Sequence, residues 1–161
     1  MAGNYVIRPM SAADIDDAVA WAAAEGWNPG DRDAQCFASV DPAGFIGGFL
    51  DGRMIASISV VNYDDAFSFL GFYIVQPEYR GTGAGLATWN HGMAYLEGRT
   101  VGLDGVVAQQ DNYRKSGFDL AGRNVRHSGV PQTGDEKPGA DIRPVTAEEL
   151  QAVIAYDRDF F

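Results

Sequence analysis

Six consecutive residues, Arg80-Gly81-Thr82-Gly83-Ala84-Gly85, carry the densest chemical information in the chain. The apolar, aromatic run 67–75 before them reads as a buried strand. After them Leu86, Trp89, Met93 and Leu96 recur at helical spacing, which predicts a helix over 83–97 closed by Gly98. A strand that enters a glycine-rich turn and leaves it as a helix points several free backbone N–H groups at one spot. The helix dipole adds to their field, and the spot favours phosphate. Gly81, Gly83 and Gly85 lack Cβ, so a pyrophosphate can approach the main chain closely. Spacing excludes two common phosphate loops. No Lys follows the glycines, as a Walker loop requires, and the third Gly falls in the wrong place for a dinucleotide fingerprint. A ligand-free structural turn is the plain alternative.

What remains is Arg-x-x-Gly-x-Gly preceded by Val75-Gln76-Pro77-Glu78-Tyr79. This resembles the coenzyme A pyrophosphate loop of the GNAT (GCN5-related) N-acetyltransferases. A second motif follows in that family's order: Tyr113-Arg114-Lys115-Ser116-Gly117-Phe118 is similar to its Tyr-x-x-x-Gly-Phe. The resemblance implies an α/β fold with a central mixed, mostly antiparallel sheet of six to seven strands flanked by about four helices. It implies acetyl-coenzyme A as co-substrate, no metal, and direct attack by an amine of a small molecule or an amino-terminal group.

The resemblance also assigns roles. Arg80, Gly81, Thr82, Gly83, Ala84 and Gly85 would hold the pyrophosphate, and backbone groups of Tyr73, Ile74 and Val75 the pantetheine arm. Tyr113 would protonate the departing thiolate, a task that suits a phenol because it stays protonated at neutral pH. Glu25, Trp27 and Asn28 would border the acceptor, with core packing the plain alternative for Trp27. Two departures stand out. The strand 68–75 has no acid to serve as general base, so Asp104 is the first substitute, with Glu25 or a water chain as others. The family's Asn before the Tyr is missing, and Asn112 or Gln110 takes its place. The alternative function is a catalytically weak module that binds acyl-coenzyme A.

The elements that must position these residues can be read in order. Tyr5-Val6-Ile7-Arg8 predicts a strand, and Ser11 with Asp14 a near capping box for a helix bearing Ile15, Ala18, Val19 and Ala22. Asp31 is expected to cap a second short helix. Strands are expected at 45–50, 54–61 and 67–75, the first two joined by the turn pair Asp51-Gly52. A further strand is expected at 101–107, a short helix capped by Asp111, and one or two strands over 120–127.

Residues 129–141 then form a Pro/Gly/charged linker. After it, Ile142-Arg143-Pro144-Val145-Thr146 repeats Ile7-Arg8-Pro9-Met10-Ser11 at an offset of 135 (142 minus 7), with the capping pair Thr146 and Glu149 and a stripe of Leu150, Val153 and Ile154. The expected organisation is a GNAT domain over 1–128 and the start of a second, apparently truncated, over 142–161. This resembles tandem YitH-like bacterial acetyltransferases. The plain alternative is a C-terminal strand and helix belonging to the first domain.

Composition bounds the rest. The chain has 161 residues, 46% hydrophobic and 21% charged, enough for a core. A net charge of −10 argues against nucleic acid as a partner and suits solubility or the steering of cationic amines. One cysteine, Cys36, precludes an internal disulfide and fits a cytoplasmic setting. No membrane span or secretory leader is expected, and neither His91 nor His127 lies at metal-ligand spacing. No Gly-x-Ser-x-Gly elbow is present, which removes a serine hydrolase. A homodimer or an intramolecular second domain is the partner left open for the apolar C-terminal stripe.

Overall fold

The structure is a computed structural model, and it describes residues 3–125, 127–132, 134, 139 and 142–158. Its chain divides into two compact units, Met1–Asp119 and Leu120–Phe161. The first is a five-stranded sheet in sequential order with helices on both faces. Strands β1 (Tyr5–Pro9), β2 (Phe45–Leu50), β3 (Arg53–Asn62) and β4 (Phe67–Val75) pair antiparallel, and β5 (Thr100–Leu103) joins β4 in parallel.

Helix α1 (Ala12–Ala24) starts at Ser11, whose box with Asp14 is complete: each side chain caps the other's backbone. With α2 (Asp33–Val40) it covers one face of the sheet, where Met10, Ala18, Phe45, Phe49, Met54 and Val61 form a core. Helix α3 (Ala84–Tyr95) covers the other, where Ile46, Ile58, Val60, Leu70, Trp89 and Leu96 pack. Coverage on both faces explains why β2 and β3 read as continuous buried runs rather than alternating ones. Asp51 and Gly52 take φ of 49° and 86°, the left-handed pair that a tight hairpin requires.

Several expectations are corrected. Five strands are present among the described residues instead of six to seven, and five α-helices instead of about four. The strand expected over 101–107 stops at Leu103. The described residues of 120–127 form no strand. Their two large apolar residues, Leu120 and Val125, are five apart and so fall on opposite faces of an extended chain; both are exposed. Asp31 does not cap α2: Arg32 holds that position, and Asp33 accepts a hydrogen bond from the Gly30 N–H at 2.9 Å. Asp111 lies inside the first turn of α4 (Gln110–Lys115), whose N-cap is Gln109.

Among its described residues, the second unit has one 3₁₀ turn, Ala147–Glu149, that runs into α5 (Leu150–Asp157). Residues 142–145 are not a strand. Much of the expected linker, including residues 135–138, lies outside the described residues.

The sequence repeat recurs as a hydrogen-bond pattern. In the first copy the Arg8 guanidinium donates to the Pro9 carbonyl (2.9 Å) and to Asp14 Oδ2 (3.2 Å), and Asp14 Oδ2 accepts the Ser11 N–H (2.8 Å). In the second, Arg143 donates to the Pro144 carbonyl (3.4 Å) and to Glu149 Oε2 (2.7 Å), which accepts the Thr146 N–H (3.0 Å). Asp14 and Glu149 occupy matching positions at the same offset.

Candidate active site

The site begins with an irregularity in β4. Ser59 pairs with Gly71 and Ser57 with Ile74, so Phe72 and Tyr73 together oppose Ile58. This is a β-bulge, and Phe72 adopts φ of 47°, uncommon for a residue of its bulk. The buried Ser57 hydroxyl donates to the Phe72 carbonyl at 2.8 Å and holds the bulge. Phe72 packs with the α1/α2 core and Tyr73 with the α3 core. Pairing with β5 ends at Leu70 opposite Leu103, whereas β4 runs on to Val75. One edge of residues 71–75 therefore has no strand partner among the described residues. Its backbone groups are available to an extended amide-containing ligand.

Past Val75 a 3₁₀ turn, Pro77–Tyr79, leads into the glycine turn. Gly81 and Gly83 have φ of 77° and 91°, and a Cβ at either would meet nothing within 4 Å. These two are needed for backbone conformation and leave open space beside the main chain. Gly85 differs. A Cβ there would lie 2.6 Å from Val75 Cγ2 and 2.9 Å from the Tyr73 hydroxyl. The sequence reading gave Gly85 the same role as the other two; the structure shows that it lets α3 pack against β4. Gly83 is the N-cap of α3 and supplies no side-chain acceptor. The first intrahelical bond is Ala87 N–H to Gly83 O (3.0 Å), so the preceding helical N–H groups have no acceptor inside α3. A left-handed turn, open space and uncapped donors together fit a pyrophosphate.

Other groups fix the turn. The Thr82 hydroxyl donates to the Tyr79 carbonyl at 2.7 Å. The Tyr5 hydroxyl donates to the Ala84 carbonyl at 3.0 Å and lies 2.6 Å from the hydroxyl of buried Thr88, which anchors the start of α3 to β1. Arg80 Nε donates to the Val75 carbonyl (2.9 Å), and its Nη2 pairs with Glu25 Oε1 at 2.6 Å. Nothing in the sequence flagged Tyr5, Thr88, Ser57 or the bulge, because each acts through a partner distant along the chain.

Tyr113 is brought to the same face as Tyr73. Both rings lie against Trp89, at centroid distances of 5.1 Å for Tyr73 and 6.1 Å for Tyr113. Gly105 seats the Tyr113 ring, since a Cβ there would meet it at 2.4 Å. Burial raises the Tyr113 phenol above its usual range, against a hydrogen bond from the Val106 backbone that lowers it. Burial also raises Tyr73, with Tyr5 and Tyr113 nearby adding to the effect. The phenols are thus proton holders at neutral pH.

The remaining candidates are more peripheral. Asp104 and Asn112 are exposed, and the Asn112 amide donates to Gln109 Oε1 at 2.7 Å. Glu25 is the C-cap of α1. Trp27 is half-buried, its N–H bonded to the Ala22 carbonyl at 3.0 Å, and Asn28 takes a left-handed φ of 49°. Asn28, Gly26, Pro29 and Asp31 line a surface pocket with Val19 and Ala23. Among the described residues no group of three or more His, Cys, Asp or Glu is placed to hold a metal ion. No described helix is long and apolar enough to cross a membrane.

A bulged strand, a splayed edge and a glycine turn at a helix N-terminus together form a cradle for an extended, phosphate-bearing ligand. The sequence profile of the acetyltransferase (GNAT) family matches residues 12–118, and the chain belongs to that family. Its members use acyl-coenzyme A. Holothin acyltransferase of Pseudoalteromonas sp. (strain SANK 73390) is 35% identical over 154 residues, 96% of this chain and 52% of that protein. An uncharacterized protein of Caenorhabditis elegans is 33% identical over 103 residues, 56% of this chain and 32% of its own length. The chain thus spans about half the length of the first relative and a third of the second. Ard1 from Thermoplasma volcanium superposes with a TM-score of 0.64 at 18% identity, over 73% of this chain and 84% of that one. A GNAT-family protein of Xanthomonas campestris pv. campestris gives 0.60 at 23%, over 76% and 94%. These two likenesses establish the fold.

Proposed function

We propose that the protein transfers an acetyl group from acetyl-coenzyme A to an amine of a small molecule, or to an amino-terminal group, by direct attack. The observation that carries this reading is the run of β4 past the end of β5 into the uncapped N-terminus of α3. The turn holds the pyrophosphate, the free strand edge takes the pantetheine amides, and the thioester is delivered toward Tyr113. The amine nitrogen bonds to the acyl carbon, the carbon–sulfur bond breaks, and the Tyr113 phenol gives its proton to the thiolate. Positioning supplies much of the rate, because the reaction joins two bound molecules. Asp104 or a water takes the amine's proton. The setting proposed is the cytoplasm. The relative's name supplies acyl transfer as a reaction and holothin as one acceptor to include among the amines tried.

The test is release of free thiol from acetyl-coenzyme A across a panel of amines. Acceptor-dependent release supports transfer. Tight coenzyme A binding with no turnover on any acceptor would favour the second reading, an acyl-coenzyme A-binding module, for which the absence of an acid on β4 speaks.

The domain reading belongs with this proposal. On this reading residues 142–161 belong to the opening of a second GNAT-like domain of the tandem YitH-like kind. The support is the repeated arginine–carboxylate box around Pro9 and Pro144. At the same offset Val145, Leu150 and Val153 correspond to Met10, Ile15 and Ala18, which pack in the α1/α2 core.

A further inference from the structure

The Glu25–Arg80 pair joins two parts of the site that the sequence separates by 55 residues. Arg80 lies in the cofactor turn. Glu25 ends α1, and the loop it opens carries Gly26 (φ 80°) and Asn28 (φ 49°). The geometry at Arg80 is constrained: Nε is fixed to the Val75 carbonyl at 2.9 Å, which aims the guanidinium at Glu25 Oε1, 2.6 Å from Nη2. The other carboxylate near the turn, Glu78, pairs instead with Arg53 at 3.3 Å. Glu25 is therefore the carboxylate that Arg80 holds.

We propose that Glu25 is a positioning residue that competes with the cofactor's pyrophosphate for Arg80 and so links cofactor binding to the acceptor-side loop. This rests on the functional reading above. Both side chains are partly exposed, at 38% for Glu25 and 52% for Arg80, so the pair is screened and readily exchanged. A pyrophosphate carries more negative charge than one carboxylate and presents several acceptor oxygens to the same guanidinium. When it takes Arg80, the Glu25 carboxylate is released beside residues 26–31. There it can attract the ammonium form of an approaching amine. The acceptor class this fits is a cationic amine.

The test uses calorimetric titration of coenzyme A into the 161-residue protein, with no acceptor present. Glu25→Gln keeps the size of the side chain and one acceptor oxygen and removes its charge. The expected result is coenzyme A binding three- to tenfold tighter in Glu25→Gln than in the parent. In an Arg80→Gln background the same change should have no effect, because the competition needs the guanidinium. A purely structural Glu25 would give equal or weaker binding in Glu25→Gln, and that outcome overturns the proposal. An equal gain in both backgrounds also overturns it, since the effect would then be general charge relief. Hydrogen exchange gives a second readout: amides of residues 26–30 should lose protection when coenzyme A binds to the parent, and unchanged protection counts against the coupling. Should the parent protein itself bind no coenzyme A, the functional reading fails first, and the two failures are distinguishable.

Discussion

Gly83 and Gly85 are two residues apart, yet their substitutions should fail in different ways. At Gly83 the surrounding space is open and the backbone is left-handed. Gly83→Val forces a branched side chain into that conformation and into the space assigned to pyrophosphate. Coenzyme A affinity should fall by more than tenfold, above ~1.4 kcal/mol, measured by calorimetry on protein whose fold is verified. Gly85→Ala instead drives a Cβ into Val75 and Tyr73. It should lower stability by roughly 1–3 kcal/mol in denaturant unfolding. Equal effects of the two changes on affinity would contradict the division of roles. Tyr113→Phe should lower kcat by ~10²-fold or more and leave coenzyme A affinity nearly unchanged, as removal of a general acid does. Because burial raises the Tyr113 phenol, it stays protonated up to and beyond its ordinary value of 10.0, so loss of the acid should appear only on the far alkaline limb. At this scale the sequence marked the glycines and the tyrosine as candidates because the motifs that carry them are local. It could not separate Gly85 from Gly83, since the difference lies in Val75 and Tyr73 across the packing interface.

Elements were legible where a short-range signal fixed them. The Ser11 cap, the Asp51-Gly52 turn and the boundaries of β2 and β4 all follow from neighbouring residues. The bulge in β4 was not, because Phe72 has no residue-type mark for a left-handed φ; the Ser57 hydroxyl and the packing of Phe45 (ring centroids 6.3 Å apart) impose it. The capping boxes at Ser11 and at Thr146, before α1 and before the 3₁₀ turn, give a pH prediction. Arg143, with the Thr146 backbone and hydroxyl, lowers Glu149 to about 2. Partial burial opposes a similar lowering of Asp14, but Ser11 and Arg8 prevail. The sign is that of a depressed carboxylate: its contribution is full above the ordinary value of 4.5 and is lost as pH falls toward about 2. NMR titration of the Glu149 carboxyl should therefore show a midpoint well below 4.5, and Arg143→Gln should bring it back up.

For the whole molecule, everything assigned to cofactor handling lies in the unit Met1–Asp119. Removal of residues 142–161 should leave coenzyme A affinity within about twofold of the intact chain, again by calorimetry. A larger loss would mean that the second unit contributes to the site. The apolar residues of α5, among them Leu150, Val153, Ile154 and Tyr156, are exposed. Where they stay exposed, Val153→Glu should change stability by less than ~0.5 kcal/mol in denaturant unfolding, and a cost of roughly 1.5–3 kcal/mol would show that they pack as the matching residues of α1 do.

The sheet also has two ends, β1 and β5. An open strand edge is a template on which another chain can add itself, and it invites aggregation. Here β5 has only four residues, interrupted by Gly102, and β1 has five and finishes in Pro9, which lacks an N–H. Both margins are blunt, and the chain carries ten net negative charges. The free edge of β4 is a third margin, but it spans only residues 71–75 and is kinked by the bulge at Phe72, so it too is a poor template for another strand while its backbone groups stay open.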